Sequence, residues 1–339
     1  MYIEYPSSQC QHLRLFADFL VPREPRLLLV QMHGWHGSVK ATHTDNVAMT
    51  PDPEWFVIRP EMRGRGDSTG APDCNGWELQ DVVDAVEFAR RTFAGKIIEP
   101  ELVALAGGSG GGGNVYALLG KFPDFFCCAR VNCGVSDYAL WFRNDVAGEF
   151  RDEMEGAGWI GGNPDTRPEA YRSRSGVTTA GNLLVPLLIV HGETDERVPV
   201  EQARRFVAEA QRLGKGHLVK YIELPGVGGK THWEHITPEH DALVKQTSDS
   251  FLRSHRTPAH LPRSGRFVVA GYLKTKMFEV VLDSLDHIAT LDYDLDRDEF
   301  ILTAPSARRA HVALRRNDGS FEHREIHIER QANPMAEAR

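Results

Sequence analysis

No apolar run in this chain approaches the roughly 20 residues that a helix needs to cross a bilayer. The opening Met1-Tyr2-Ile3-Glu4-Tyr5-Pro6 has neither the basic flank nor the apolar stretch of a secretion signal. The sequence therefore predicts neither a membrane-spanning helix nor export. Cysteine is scarce: Cys10, Cys74, Cys127, Cys128 and Cys133 make an odd count of five without framework spacing. That excludes a disulfide scaffold and points to the reducing cytoplasm. Positive charge is not in excess either; a formal net charge of −8 argues against nucleic acid or an anionic membrane as the main partner. No internal repeat and no low-complexity segment is found. The glycine-rich stretch Gly107 to Gly113 lacks the lysine of a phosphate-binding loop. His232 and His235 have no matching cysteine or carboxylate set for zinc, so neither a cofactor nor a metal is expected.

What is present is a chain of 339 residues, long enough to bury a large core. Dense apolar runs at Arg26–Met32, Trp55–Arg59, Leu102–Ala106, Ala129–Asn132, Leu183–Val190 and Leu218–Leu224 read as strands. His12–Val21 partly alternates, as an outer strand would. Helical spacing of Leu79, Val82, Val83, Val86 and Ala89 predicts a helix within Gly76–Phe93, with others after Ser109, over Val200–Leu213 and over Pro238–His255. Such alternation implies a mostly parallel sheet covered by helices on both faces. The pattern fails at about 135–180, an insert carrying Trp141, Phe142, Trp159 and Tyr171 where a substrate-covering lid would sit. After a linker-like Pro258–Gly265, short alternating runs from 266 to 330 predict a small β-rich appendage, with a hairpin turn at Asn317-Asp318-Gly319-Ser320. This appendage is read as structural cover or as a contact between copies of the chain, ahead of a module that binds a polymeric substrate, and the tail Gln331–Arg339 as frayed.

Chemistry concentrates at Gly107-Gly108-Ser109-Gly110-Gly111, which fits G-x-S-x-G, a strand-to-helix turn that exposes a serine hydroxyl above a sheet. Side chains in place of the flanking glycines would collide with the neighbouring strand and helix. A serine is a weak nucleophile until a base takes its proton, so the motif predicts an acid and then a histidine downstream. Asp195 follows the strand ending at Val190, and the turn before Val198-Pro199 favours it over Glu193 or Glu196. His232 lies in the glycine-rich loop after Leu224, whereas His235 and His240 lie in or near the following helix. The N–H groups of Gly110 and, from the loop His33-Gly34-Trp35, of Trp35 are the expected oxyanion donors. Trp141 and Trp159 of the insert are the expected substrate contacts. Arg65-Gly66-Asp67 sits in a strand-end loop and is not read as an adhesion signal.

With these residues placed, the chain resembles an α/β-hydrolase, and within that fold it is similar to the catalytic domain of the prolyl oligopeptidase-type family. The similarity rests on Gly107–Gly111, Phe122–Phe126, Gly134–Asp137, Pro164–Tyr171, Leu187–Val200 with Gln202, and His232, and covers about Pro60 to His255. It implies the same assignment of Ser109, Asp195 and His232, in a catalytic domain at 1–257. Two departures matter. Peptidase members carry a β-propeller ahead of this domain, for which there is no room here, and the aromatic residue common after the nucleophile is Gly110. The expected activity is hydrolysis of a small or oligomeric carboxylic ester, with a peptide or amide substrate as the alternative and a non-catalytic binding protein as a remote one.

Overall fold

The computed structural model describes residues 1–40, 54–145, 147–156, 158–316 and 318–330. Asn317 of the expected hairpin turn and the tail from Gln331 lie outside them. The first sheet has eight strands: β1 (Tyr2–Pro6), β2 (Arg14–Leu20), β3 (Leu27–Met32), β4 (Trp55–Pro60), β5 (Val103–Gly108), β6 (Cys128–Asn132), β7 (Leu187–Asp195) and β8 (Val219–Gly229). Their spatial order is β1-β2-β4-β3-β5-β6-β7-β8, with β4 to β8 parallel and β1 and β2 antiparallel at one edge. The strands read as dense apolar runs because both faces are buried. Leu28, Val30, Val103 and Leu105 pack on one face with α1 (Glu78–Thr92), α2 (Gly110–Lys121) and α6 (Glu201–Arg212). Leu27, Leu29, Ala104 and Val190 pack on the other, under Phe251 and Leu252 of α7 (Pro238–Ser254).

Several boundaries differ from the sequence reading. β1 was not expected. Pro186, which cannot donate to a ladder, delays β7 to Leu187. At their far ends β7 and β8 stay paired beyond a bulge between Gly192 and Thr194, with Thr194 opposite Gly228 and Asp195 opposite Gly229. Asp195 therefore ends a strand instead of lying in a loop, and the bulge re-aims it. The insert is not irregular: it folds into α3 (Tyr138–Asn144), α4 (Arg151–Glu155) and α5 (Pro168–Arg174) around a core of Tyr138, Trp141, Phe150, Met154 and Tyr171. Among the described residues no helix is long and apolar enough to cross a membrane.

The C-terminal strands form a second eight-stranded sheet: β9 (Ser264–Ala270), β10 (Tyr272–Lys274), β11 (Phe278–Leu282), β12 (Ile288–Asp294), β13 (Glu299–Ala304), β14 (Arg309–Arg315), β15 (Phe321–His327) and β16 (Glu329–Arg330). The run Arg266–Leu273, expected as one strand, breaks at Gly271, where φ is +73°. This sheet has its own core, from Phe267 to Ile328, yet Tyr272 is fully buried in the core of the first sheet. Its ring stacks on Trp77 at 4.6 Å and its hydroxyl donates to Gly76 O at 2.9 Å. Asn182 completes the junction like a strand residue, donating to Val268 O at 2.7 Å and accepting from Val268 N at 2.8 Å.

Candidate active site

Ser109 stands between β5 and α2 at φ 55°, ψ −125°, a left-handed conformation that costs a non-glycine residue of order 1–3 kcal/mol. The surroundings hold it there: Ser109 N donates to Asn132 O at 2.9 Å and Gly113 N to Ser109 O at 3.2 Å. The glycines are needed for space. A Cβ on Gly107 would lie 2.4 Å from Gly111 O, and one on Gly110 would lie 2.6 Å from the backbone nitrogen of Trp35. The second contact brings the two expected oxyanion donors together. Among the described residues neither Gly110 N–H nor Trp35 N–H has an acceptor, and the start of α2 adds its positive end. Two unused donors beside the serine are what a developing oxyanion would require.

His232 is carried on a short loop closed by reciprocal backbone bonds between Gly228 and Glu234, at 3.0 and 2.8 Å, and takes φ 72°. Its Nδ1 lies 2.7 Å from Asp195 Oδ2, so Nδ1–H donates to the carboxylate and the Nε2 lone pair is left for a proton. Nε2 and the Ser109 hydroxyl have no hydrogen-bond partner among the described residues. Asp195 Oδ1 accepts from Arg197 N at 3.0 Å and Val198 N at 2.9 Å, which fixes the acid in place. Of the competitors, Glu193 accepts from Gly226 N, Glu196 makes no contact with His232 among the described residues, and His240 sits in α7.

Sequence reasoning missed the groups behind the acid. Cys133 and His191 are buried, and with Asp195 they bring three candidate ligand atoms within 4.8 Å. Geometry alone would let a cation sit there. The chemistry of the set does not favour one: burial pushes the Cys133 thiol up, further raised by Asp195, and burial lowers His191, so both are neutral. His191 Nε2–H donates to Val198 O at 2.7 Å, and both Asp195 oxygens are already committed. Only the pairing of strand ends brings Cys133 to Asp195, and no local signal in the sequence announces it.

The loop that carries Trp35 is pinned from two sides. Burial keeps His33 neutral; its Nδ1–H donates to Gly34 O at 2.8 Å and its Nε2 accepts from Met62 N at 3.2 Å. From the insert, Glu153 accepts the Trp35 indole N–H and lies 3.2 Å from His36 Nε2. Trp159 stacks on Trp35 at 4.6 Å, and both line a cavity of about 30 Å³ beside Gly110. Trp141 is different. It is 1% exposed, donates its indole N–H to Arg197 O at 2.8 Å and meets Trp35 edge-on, so it supports the insert and is not open to substrate. A larger cavity, about 520 Å³, lies between α1 and the second sheet and contains none of these residues.

The family model for the prolyl oligopeptidase family, Peptidase_S9, matches residues 60–249, more than half of the chain. The chain belongs to the prolyl oligopeptidase family. Its first sheet with the helices around it is therefore an α/β-hydrolase fold, to which the second sheet is added. Among curated relatives, the uncharacterized protein YfhR of Salmonella typhi is 26% identical over 198 residues, 56% of this chain and 61% of that protein. Dipeptidyl peptidase family member 6 of Caenorhabditis elegans is 29% identical over 62% of this chain and 29% of its own length. Esterase LipC of Mycobacterium tuberculosis is 39% identical, but over only 64 residues, 19% of this chain and 16% of LipC. This chain thus spans about three fifths or less of these relatives. The Pyrococcus horikoshii acylaminoacyl peptidase shares the fold with a TM-score of 0.61 at 20% identity, over 77% of this chain and 42% of that one. A Pyrococcus furiosus esterase does so with 0.54 at 15%, over 76% and 91%.

Proposed function

We propose that this family member hydrolyses carboxylic esters through Ser109, His232 and Asp195. The observation that carries the reading is the His232–Asp195 bond of 2.7 Å, which leaves Nε2 unpartnered on the strand-end side where Ser109 is held in a strained turn. Ser109 Oγ bonds to the acyl carbon while His232 Nε2 takes its proton, and the N–H groups of Gly110 and Trp35 hold the oxyanion. Collapse expels the alcohol, which receives that proton from His232. Water, deprotonated by the same nitrogen, then cleaves the acyl-serine and restores the hydroxyl.

Ester is placed ahead of one kind of amide substrate, a peptide held by its free amino terminus. A peptidase acting at an amino terminus needs a free carboxylate near the oxyanion site. Two carboxylates of the insert are already engaged, Glu153 with Trp35 and His36 and Glu149 with Arg197. The unpaired state of all five cysteines agrees with a reducing compartment, which we propose to be the cytoplasm. The test compares kcat/KM for matched p-nitrophenyl esters and aminoacyl p-nitroanilides, with Ser109→Ala as blank. Ester turnover without anilide turnover is expected; efficient anilide cleavage would move the activity to peptides.

A further inference from the structure

Beside the proposed oxyanion donors lies a positive charge that no carboxylate among the described residues pairs with. Arg65 is in the loop after β4, its backbone locked by Arg65 N to Met62 O at 3.0 Å and Ser68 N to Arg65 O at 2.9 Å. Its guanidinium lies over the Trp159 ring at 5.3 Å. It makes no hydrogen bond or ion pair among the described residues, and Nη2 is shut off from solvent without a partner. An unpaired, desolvated donor of this kind is costly unless something fills its place. In a chain with 47 acidic residues against 39 basic ones, a lack of available carboxylates does not explain it.

The neighbours make the contrast plain. Arg63, two residues earlier, lines the same cavity but is bound to both oxygens of Asp81. His33 is held neutral by burial. Glu78 also lines the cavity, but its oxygens accept from Asn75 N and Asp73 N, and burial raises its carboxyl to about 7, which weakens its claim on a cation. Arg65 is therefore the one cavity-lining cation among the described residues with no hydrogen-bond or ion-pair partner. The cavity, about 30 Å³, has room for roughly two water-sized groups, the size of the two oxygens of a carboxylate. Gly110 and Trp35 line the same cavity, so such a group would sit a short chain away from the carbonyl under attack. Of the guanidinium donors Nη2 has no accessible surface, so a carboxylate here would be met through Nε and Nη1, as charge-assisted bonds.

We propose that Arg65 sets substrate specificity by pairing with a carboxylate on the ester, so that the preferred substrates are anionic. This rests on the ester-hydrolase reading and adds the substrate class. The carboxylate belongs either to the acyl part or to the leaving group, and paired substrates separate the two. For the acyl side, p-nitrophenyl hydrogen adipate is compared with p-nitrophenyl methyl adipate; for the leaving group, 3-carboxyphenyl acetate with 3-(methoxycarbonyl)phenyl acetate. The native enzyme should favour the anionic member of one pair by tenfold or more in kcat/KM. Arg65→Ala should bring that ratio to about one, Arg65→Lys should restore part of it, and Arg65→Glu should reverse it. Because each ratio is taken within one protein, a loss of folded enzyme cannot imitate the effect. A native ratio near one in both pairs, or a preference that survives Arg65→Ala, overturns the proposal. Calorimetric binding of monomethyl adipate and of 3-acetoxybenzoate to Ser109→Ala protein decides it without turnover. Arg65→Ala in that background should weaken one of them at least tenfold, and unchanged affinity for both overturns the assignment even if the ester reading itself has failed.

Discussion

The strand-end face and the junction with the second sheet are both polar and largely buried, yet they treat their polar groups in opposite ways. At the junction the groups are consumed. Lys121 donates to Ala270 O, Asn182 bonds twice to Val268, and Arg174 binds Asp73 O and Leu285 O with Asp286 at 3.0 Å. At the strand-end face two backbone N–H groups, an imidazole nitrogen, a serine hydroxyl and a guanidinium are left open, and Ser109 and His232 are held at positive φ. Satisfied polarity specifies how parts fit; unsatisfied, strained polarity is tolerable only where a ligand completes it.

The largest expected effect attacks the orientation of the base. Asp195→Asn presents an amide where His232 needs an acceptor, which favours the wrong tautomer; kcat should fall about 10⁴-fold while the circular dichroism spectrum is kept. Gly110→Ala comes next. Its Cβ would sit 2.6 Å from Trp35 N, so the donors must separate, and kcat for the esters should drop about 10²- to 10³-fold with KM little changed. A KM effect alone would mean that these N–H groups do not hold the oxyanion.

The smallest effect belongs to the junction. Lys121 is fully buried against Tyr272, and burial holds its amine well below the usual lysine range. Between its depressed folded-state value and 10.5 the unfolded chain therefore binds a proton that the folded chain does not, so the contribution of Lys121 to stability rises with pH across that window. Lys121→Met should be as stable as the native protein or more so at pH 7 by urea unfolding, with its advantage shrinking towards pH 10, and with ester turnover unaffected. An advantage independent of pH would show that Lys121 is charged in the fold and belongs to the satisfied network as an ion.

The two regions were unequally legible in the sequence. The serine turn and the His232 loop are local, written in glycines and in the order of serine, acid and histidine, and most strands of both sheets, though not β1 or the break between β9 and β10, follow from apolar periodicity. How the second sheet docks was hidden, because Asn182 meets Val268 across 86 residues and Tyr272 meets Gly76 across 196. Trp141 and Trp159 look alike in sequence, and only packing puts one in the insert's core and the other beside Gly110. Composition cannot show that Arg65 is unpaired while Arg63 is taken, since the difference is one of direction and not of residue type.

The most direct measurement of the central claim is labelling of the folded protein with a serine-reactive fluorophosphonate, followed by peptide mapping. A single adduct on Ser109, lost in Ser109→Ala and strongly slowed in Asp195→Asn, is the predicted result. An adduct elsewhere, or none on correctly folded protein, would contradict the assignment of Ser109 as a nucleophile activated by His232 and Asp195.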